Sequence, residues 1–286
     1  MRAICTRNVP AQPRPGGRIF AMPESTLRAV SEELIELSAS GHTAPPFSTR
    51  FPKLDADTGY RAMRRLHQHR LAIGWKPLGR KIGFTNRSIW PRYGVHQPIW
   101  GTVFDRTLHF AIQDACTVSL ENLAQPRIEP EICFKLKAVP RSAETPALLA
   151  CLDWMAHSIE IVQCDQPGWK TSLAHSTAAN GLHGLLIVGT PVAVPEAQAL
   201  ADVQLVLRRG TTVVDRGSGR NVLGSPLAAL GHLVELLRSQ ADAPPLAAGE
   251  IVTTGTLTDA HPVAPGETWH TEIANLPMPG LTVHFT

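Results

Sequence analysis

Three glutamates and one lysine carry the strongest chemical signal in this chain. The segment Arg127-Ile128-Glu129-Pro130-Glu131-Ile132-Cys133-Phe134-Lys135-Leu136 alternates as a strand, so Glu129 and Glu131 project from one polar face while Ile128, Ile132, Phe134 and Leu136 take the other. Two adjacent carboxylates repel one another unless water, a proton or a cation lies between them. Pro130 has no N–H to give a ladder, which predicts a sheet edge, a bulge or a barrel mouth at this point. On spacing alone, a solvated strand face is the commoner explanation of such a pair. Glu160 shifts the balance, because it interrupts the apolar run Ser158-Ile159-Glu160-Ile161-Val162, where an unpaired charge is costly. One divalent cation shared by Glu129, Glu131 and Glu160 would satisfy all three, and oxygen ligands without His or Cys suit Mg2+ or Mn2+ better than Zn2+. The alternative for Glu160 is a buried ion pair with an arginine such as Arg127. Lys81 opens another apolar strand within Gly79-Arg80-Lys81-Ile82-Gly83-Phe84. A lysine there suits binding of a carboxylate or, with its pKa lowered by burial, proton transfer. Its bland alternative is a surface lysine whose stem lies along apolar neighbours.

Other constellations are weaker. His67 and His69 stand two apart on a helix and face different ways, while His157, His175 and His183 read as hydrogen-bonded polar residues. Gly217-Ser218-Gly219-Arg220-Asn221-Val222 lacks the third glycine of a dinucleotide loop, and neither a Walker lysine motif nor a G-x-S-x-G elbow occurs. The 27 basic and 24 acidic residues are intermixed, with a net charge of +3, which leaves no footprint for nucleic acid. The five cysteines are scattered and never form a C-x-x-C pair, which fits a reducing, cytoplasmic setting. No apolar run reaches the roughly 18 residues of a membrane span.

The elements that must position these groups divide the chain into three parts. Residues 1–24 are rich in Arg and Pro and read as a disordered or extended lead, with Met22 as an alternative start and an organelle transit peptide as the minority reading. Residues 25–78 form a helical region: Leu27, Val30, Leu34 and Leu37 recur at helical spacing before Gly41, and a second helix follows a cap at Asp55 or Asp57. Residues 79–286 turn to short apolar runs divided by Gly, Pro and Asn. Strands are expected at 81–84, 101–104, 128–136, 159–162, 185–188, 203–207, 213–214, 251–254 and 281–285. Helices are expected after Thr145-Pro146, through the apolar stretch 147–155, and after Ser225-Pro226. Many strands with few helices predict an α+β fold on a mostly β core.

From residue 25 onward the chain resembles the fumarylacetoacetate hydrolase superfamily, in its branch of 2-hydroxypenta-2,4-dienoate hydratases and 4-oxalocrotonate decarboxylases. The carriers are GRKIGFTN (79–86), GVHQPIWG (94–101), PRIEPEI (126–132), the Ile159-Glu160-Ile161-Val162 strand, Ala179-Asn180-Gly181, and the tail from Gly249 through Thr254-Gly255-Thr256 to Glu267. The resemblance implies a mixed β-roll with outer helices, a small helical N-terminal region and assembly into homo-oligomers, with a related pathway enzyme as a further partner. It also implies a divalent metal on Glu129, Glu131 and Glu160, with Lys81 as a catalytic cation.

The implied reaction is addition of water to a 2-hydroxy-2,4-dienoate or 2-oxo-enoate, giving a 4-hydroxy-2-oxo acid in the breakdown of aromatic compounds. Asn180 and Thr256 are candidates for orienting substrate oxygens. Decarboxylation of a 4-oxalocrotonate-type acid is the alternative, ahead of carbon–carbon hydrolysis, for which Asp105 is the acid to watch, and of a non-catalytic partner subunit. Two departures stand out. Where the branch commonly has Gln-Pro-Asp-Phe-Gly, this chain has Gln97-Pro98-Ile99-Trp100-Gly101, which removes a carboxylate and leaves proton transfer to water, Lys81, Lys170 or a histidine such as His96. The stretch Asp165-Gln166-Pro167-Gly168-Trp169-Lys170 also differs and offers Lys170 as a second cation.

Overall fold

The computed structural model describes residues 22–286; residues 1–21 of the expected lead lie outside the described residues. Helix Glu24–Ser40 buries Leu27, Val30 and Leu34 and stops at Gly41, whose φ of 66° is the left-handed conformation glycine adopts freely. Helix Ala56–Ala72 begins at Asp55, the cap of the two candidates, whose Oδ1 accepts the Thr58 N–H at 2.8 Å. These helices pack with helix Leu173–Ala178 through Leu27, Val30, Leu34, Phe47, Ala62 and Ala178. Tyr60 and Met63 join the main core.

In chain order the strands are β1 (Pro77–Gly83), β2 (Ile99–Phe104), β3 (Leu108–Phe110), β4 (Ala115–Val118), β5 (Arg127–Leu136), β6 (Leu152–Val162) and β7 (His183–Val188). They are followed by β8 (Gln204–Arg209), β9 (Thr212–Ser218), β10 (Ile251–Thr253), β11 (His261–Pro262), β12 (Thr268–Ala274) and β13 (Thr282–Phe285). One sheet runs β2-β1-β10-β5-β6-β7-β3, with β11 also on β5, and the other runs β4-β13-β12-β8-β9. The core between them joins Ile128, Ile132 and Phe134 of β5 to Leu205 and Leu207 of β8, Trp269 and Phe285, and the stripe Leu227, Leu230, Leu233 and Leu237 of helix Pro226–Ser239. This is the expected α+β architecture of curled mixed sheets with helices outside.

Three local expectations change. The apolar stretch 147–155 is not one helix: helix Thr145–Cys151 ends and the chain passes at once into β6, because pairing with β5 over the whole of β6 outweighs local helical preference. Strand β12 goes unread in the sequence because Trp269 and Thr271 face inward between polar neighbours, which weakens the apolar alternation. Pro130 sits in the interior of the sheet and not at its edge. Its carbonyl accepts the Leu257 N–H at 2.8 Å, so its missing donor points into the gap where β10 has ended and β11 has yet to begin.

Candidate active site

Register places the chemistry on one face. Glu129 pairs directly with Glu160 across β5 and β6, and Glu131 pairs with Ser158. On the other flank Cys133 pairs with Thr253, and Thr253 with Lys81. Partners across a ladder point the same way, and alternate residues along β5 do too, so Lys81, Thr253, Glu131, Glu129 and Glu160 share one side of the sheet. That side is not a solvated face. Glu131 and Glu160 are fully buried and Lys81 is 3% exposed, because Gly181 in the connection from β6 to β7 and Gly255 in the loop after β10 lie against them.

One oxygen from each of Glu129, Glu131 and Glu160 lies within 4.8 Å of the others. Glu131 Oε2 accepts the Thr253 hydroxyl and the Gly255 N–H, the latter at 2.8 Å, while Glu131 Oε1 has no partner among the described residues. Glu160 Oε1 accepts from His183 Nδ1 at 2.7 Å, and Glu160 Oε2 lies 3.2 Å from Lys81 Nζ without a well-directed hydrogen bond. Orphaned carboxylate oxygens at full burial are expensive, and a hard divalent cation supplies what they lack. The three residues therefore fit Mg2+ or Mn2+.

Electrostatics follow from burial and crowding. Desolvation, only partly offset by Lys81 and reinforced by Glu160, pushes Glu129 up to about 7. Burial and the two neighbouring carboxylates drive Glu131 well above the ordinary carboxylate range. For Glu160 burial acts upward as well, but Lys81 and His183 outweigh it and its pKa is lowered. Burial opposes the Lys81 ammonium, yet the combined field of Glu160, Glu129 and Glu131 raises its pKa. This corrects two expectations: Glu160 pairs with Lys81 and His183 and not with Arg127, and Lys81 is held charged where a lowered pKa was considered. His183, read as an ordinary polar residue, braces a carboxylate of the triad and rests on Thr107 through Nε2 at 2.9 Å. Its only signal in the sequence is a polar residue opening an apolar strand.

Above this cluster opens a cavity of about 280 Å³, lined by Lys81 and Glu129 at its base and by Ile99, Val162, Leu182 and Thr256 along its walls. Residues 90–283 match the family model of the fumarylacetoacetate (FAA) hydrolase C-terminal domain. The chain belongs to the fumarylacetoacetate hydrolase family. Among relatives of this family, 2-keto-4-pentenoate hydratase 2 of Dechloromonas aromatica (strain RCB) is 31% identical over 264 residues, which is 90% of this chain and 95% of the relative. The 4-oxalocrotonate decarboxylase of Pseudomonas sp. (strain CF600) is 28% identical over 241 residues, 84% of this chain and 89% of that one. The fold resembles the solved 4-oxalocrotonate decarboxylase of Pseudomonas putida G7, described as complexed with magnesium and adipate, with a TM-score of 0.85 at 23% identity over 93% of this chain and 99% of that one.

The remaining candidates separate by position. Thr256 lines the cavity. Asn180 does not: its Oδ1 accepts from the Thr102 N–H at 2.7 Å and is 2.8 Å from His67 Nε2, and its Nδ2 donates to Thr102 O at 2.9 Å. It ties β2 to the helix Ala56–Ala72 instead of facing substrate, since its short amide is fully used behind the wall. Ile99, where the branch commonly carries an acid, forms part of the wall. Lys170 and His96 are exposed and outside the lining, and Asp105 accepts the Lys76 N–H at 2.9 Å away from it. No helix among the described residues is long and apolar enough to cross a membrane.

Proposed function

We propose that this chain is a divalent-metal-dependent lyase for a small 2-oxo or 2-hydroxydienoate acid, and that it adds water to give a 4-hydroxy-2-oxo acid. The observation that carries this reading is the convergence of Glu129, Glu131 and Glu160 beside the buried Lys81 at the base of a cavity with both polar and apolar walls. The relatives named as hydratases support the choice of reaction. An ion held by the three glutamates, Mg2+ or Mn2+, would supply a Lewis acid for the 2-oxo group.

The chain's own residues do the rest. Lys81 Nζ donates to the Gly181 carbonyl at 2.8 Å, which fixes the ammonium where a substrate carboxylate or a developing enolate oxygen gains most from it. Thr253 and the Gly255 N–H hold one Glu131 oxygen and leave the other for the ion. His183 orients Glu160 in the same way. Ile99, Val162 and Leu182 surround the hydrocarbon chain and exclude water around it, and the Thr256 hydroxyl is placed to orient a substrate oxygen.

A second reading, decarboxylation, is supported by the relatives named 4-oxalocrotonate decarboxylase. Loss of carbon dioxide needs chiefly a sink for the electron pair released. The purified protein, loaded with Mn2+ and given 2-hydroxypenta-2,4-dienoate or 4-oxalocrotonate, decides between them through loss of near-ultraviolet absorbance, product identity and release of carbon dioxide. Hydroxy-oxo acid without carbon dioxide supports hydration. Metal binding with neither product sinks both and leaves a non-catalytic subunit. The reading carries with it a cytoplasmic homo-oligomer, which cell fractionation and light scattering check.

A further inference from the structure

Resting on the hydration reading, we propose that Thr171, backed by His175 and Asp165, takes the proton of the attacking water and returns it to substrate carbon. Of the other groups open to proton transfer, Lys170 and His96 are exposed and outside the lining, and Lys81 is held by Glu160 and the Gly181 carbonyl. Thr171 lines the cavity together with Lys81 and Glu129. Its Oγ1 lies 2.9 Å from His175 Nδ1, and His175 Nε2 lies 2.7 Å from Asp165 Oδ1. Hydroxyl, imidazole and carboxylate therefore stand in file from the cavity wall into the protein, with His175 fully buried and Asp165 9% exposed. Among the described residues, the other hydroxyls of the lining, on Thr85, Thr256 and Thr258, form no hydrogen bond to an imidazole.

The local sequence builds this file. Ser172 caps helix Leu173–Ala178, its Oγ accepting the His175 N–H at 3.2 Å, and the first turn carries His175 back to Thr171, four positions earlier. The helical region holds the far end: the Asp165 carbonyl accepts the Ala44 N–H at 2.8 Å, and the Phe47 ring lies T-shaped to the His175 imidazole with 4.8 Å between centres. A carboxylate beside Nε2 keeps the imidazole proton on that nitrogen and leaves Nδ1 as an acceptor. Thr171 then donates to Nδ1, in preference to the Ser172 carbonyl at 3.3 Å, and accepts from the Ser176 hydroxyl at 2.9 Å. One lone pair of Thr171 is left for a water in the cavity.

The step balances. The water oxygen bonds to the far carbon of the double bond in a 2-oxo-3-enoate, and the electron pair of that bond moves to the 2-oxo oxygen. The water's proton passes to Thr171 as the threonine proton passes to His175, whose new charge faces Asp165. The reverse transfer delivers one proton to the carbon beside the 2-oxo group as the pair returns from the oxygen, which completes the addition of one water. Thr171 is the catalytic residue of this relay, and His175 and Asp165 are positioning residues behind it.

The test compares the Mn2+-loaded full chain with its Thr171→Val and Thr171→Ser variants for hydration of 2-hydroxypenta-2,4-dienoate and for calorimetric binding of oxalate. Valine keeps the shape of threonine without the hydroxyl, so kcat is expected to fall about a hundredfold or more, with KM and oxalate affinity unchanged. Thr171→Ser should recover most of the rate. Thr171→Val combined with His175→Gln should be no slower than the slower single variant, since a relay fails as a unit. Nitrogen-15 spectra of the histidine rings in the Mg2+-loaded wild type, assigned with His175→Gln, should show His175 protonated on Nε2 alone. The inference is overturned if Thr171→Val hydrates at the wild-type rate, if Thr171→Ser is as slow as Thr171→Val, if oxalate affinity falls in step with kcat, or if His175 carries a proton on Nδ1. Should His175→Gln not fold, the two Thr171 variants still decide. A wild type that binds Mn2+ and oxalate but forms no hydroxy-oxo acid would instead bring down the hydration reading, and this inference with it.

Discussion

The two ends of the cavity are built on opposite principles. At the inner end, Glu131, Glu160, Lys81 and His183 are buried, Glu129 is half-buried beside them, and the groups are tied to one another, so that each charge depends on its neighbours. At the outer end, Arg127 stands half-buried beside the Trp169 indole with no ion pair among the described residues. Coupling inside a low-dielectric cluster makes the inner end intolerant of change, whereas the outer end can be altered with little effect on the fold.

The sharpest way to break this contrast is Glu160→Gln. It leaves the buried Lys81 ammonium without its main partner, and a loss of about 3–5 kcal/mol in unfolding free energy is expected together with loss of metal binding. Chemical denaturation and metal analysis check both. Glu131→Gln should behave differently: metal affinity drops steeply while the metal-free stability changes by less than about 1 kcal/mol. The reason is not exposure, since Glu131 is wholly buried, but that burial and the neighbouring carboxylates raise its pKa and disfavour its charge, so that a neutral amide replaces it at modest cost.

A pH series sharpens the same point. Glu129 titrates at about 7 in the folded chain against an ordinary 4.5, so between these values the folded metal-free protein holds more protons than the unfolded chain. The contribution of Glu129 to stability therefore falls as pH rises from about 4.5 to about 7, and Glu131 acts in the same direction. Glu160, lowered by Lys81 and His183, acts in the opposite sense, and its contribution is lost as pH falls through its folded pKa. An ion must displace the protons on Glu129 and Glu131. Mn2+ affinity should thus climb through this interval, with proton release detectable by calorimetry in buffers of different ionisation enthalpy.

Smaller effects are expected away from the cluster. Asn180→Ala removes the bonds to Thr102 and His67 and should cost about 1–3 kcal/mol in stability, with metal affinity preserved. A change in Michaelis constant without a change in stability would restore Asn180 as a substrate ligand. Lys170→Ala, at an exposed position outside the lining, should leave both stability and turnover within error.

Much of the inner end was legible because its signals are local. Alternation put Glu129 and Glu131 on one side of a strand, and a glutamate set among Ile159, Ile161 and Val162 announced a buried charge in need of a partner. The β12 strand and the end of helix Thr145–Cys151 were not legible, because both depend on pairing with distant strands. Nor could the order of residues show that Asn180 faces β2 and not the cavity, since its amide is claimed by residues 78 and 113 positions away.

The chain by itself determined which residue types could hold a hard cation and which strand faces would carry them, because side-chain alternation is a property of the backbone. Only the tertiary structure decided the partners. The register of β5 against β6 set Glu129 opposite Glu160, the path through β10 brought Lys81 to the same face, and the loop after β6 laid Trp169 beneath Arg127. Those choices are made by burial and by hydrogen bonds between segments far apart in the chain, and no local pattern records them.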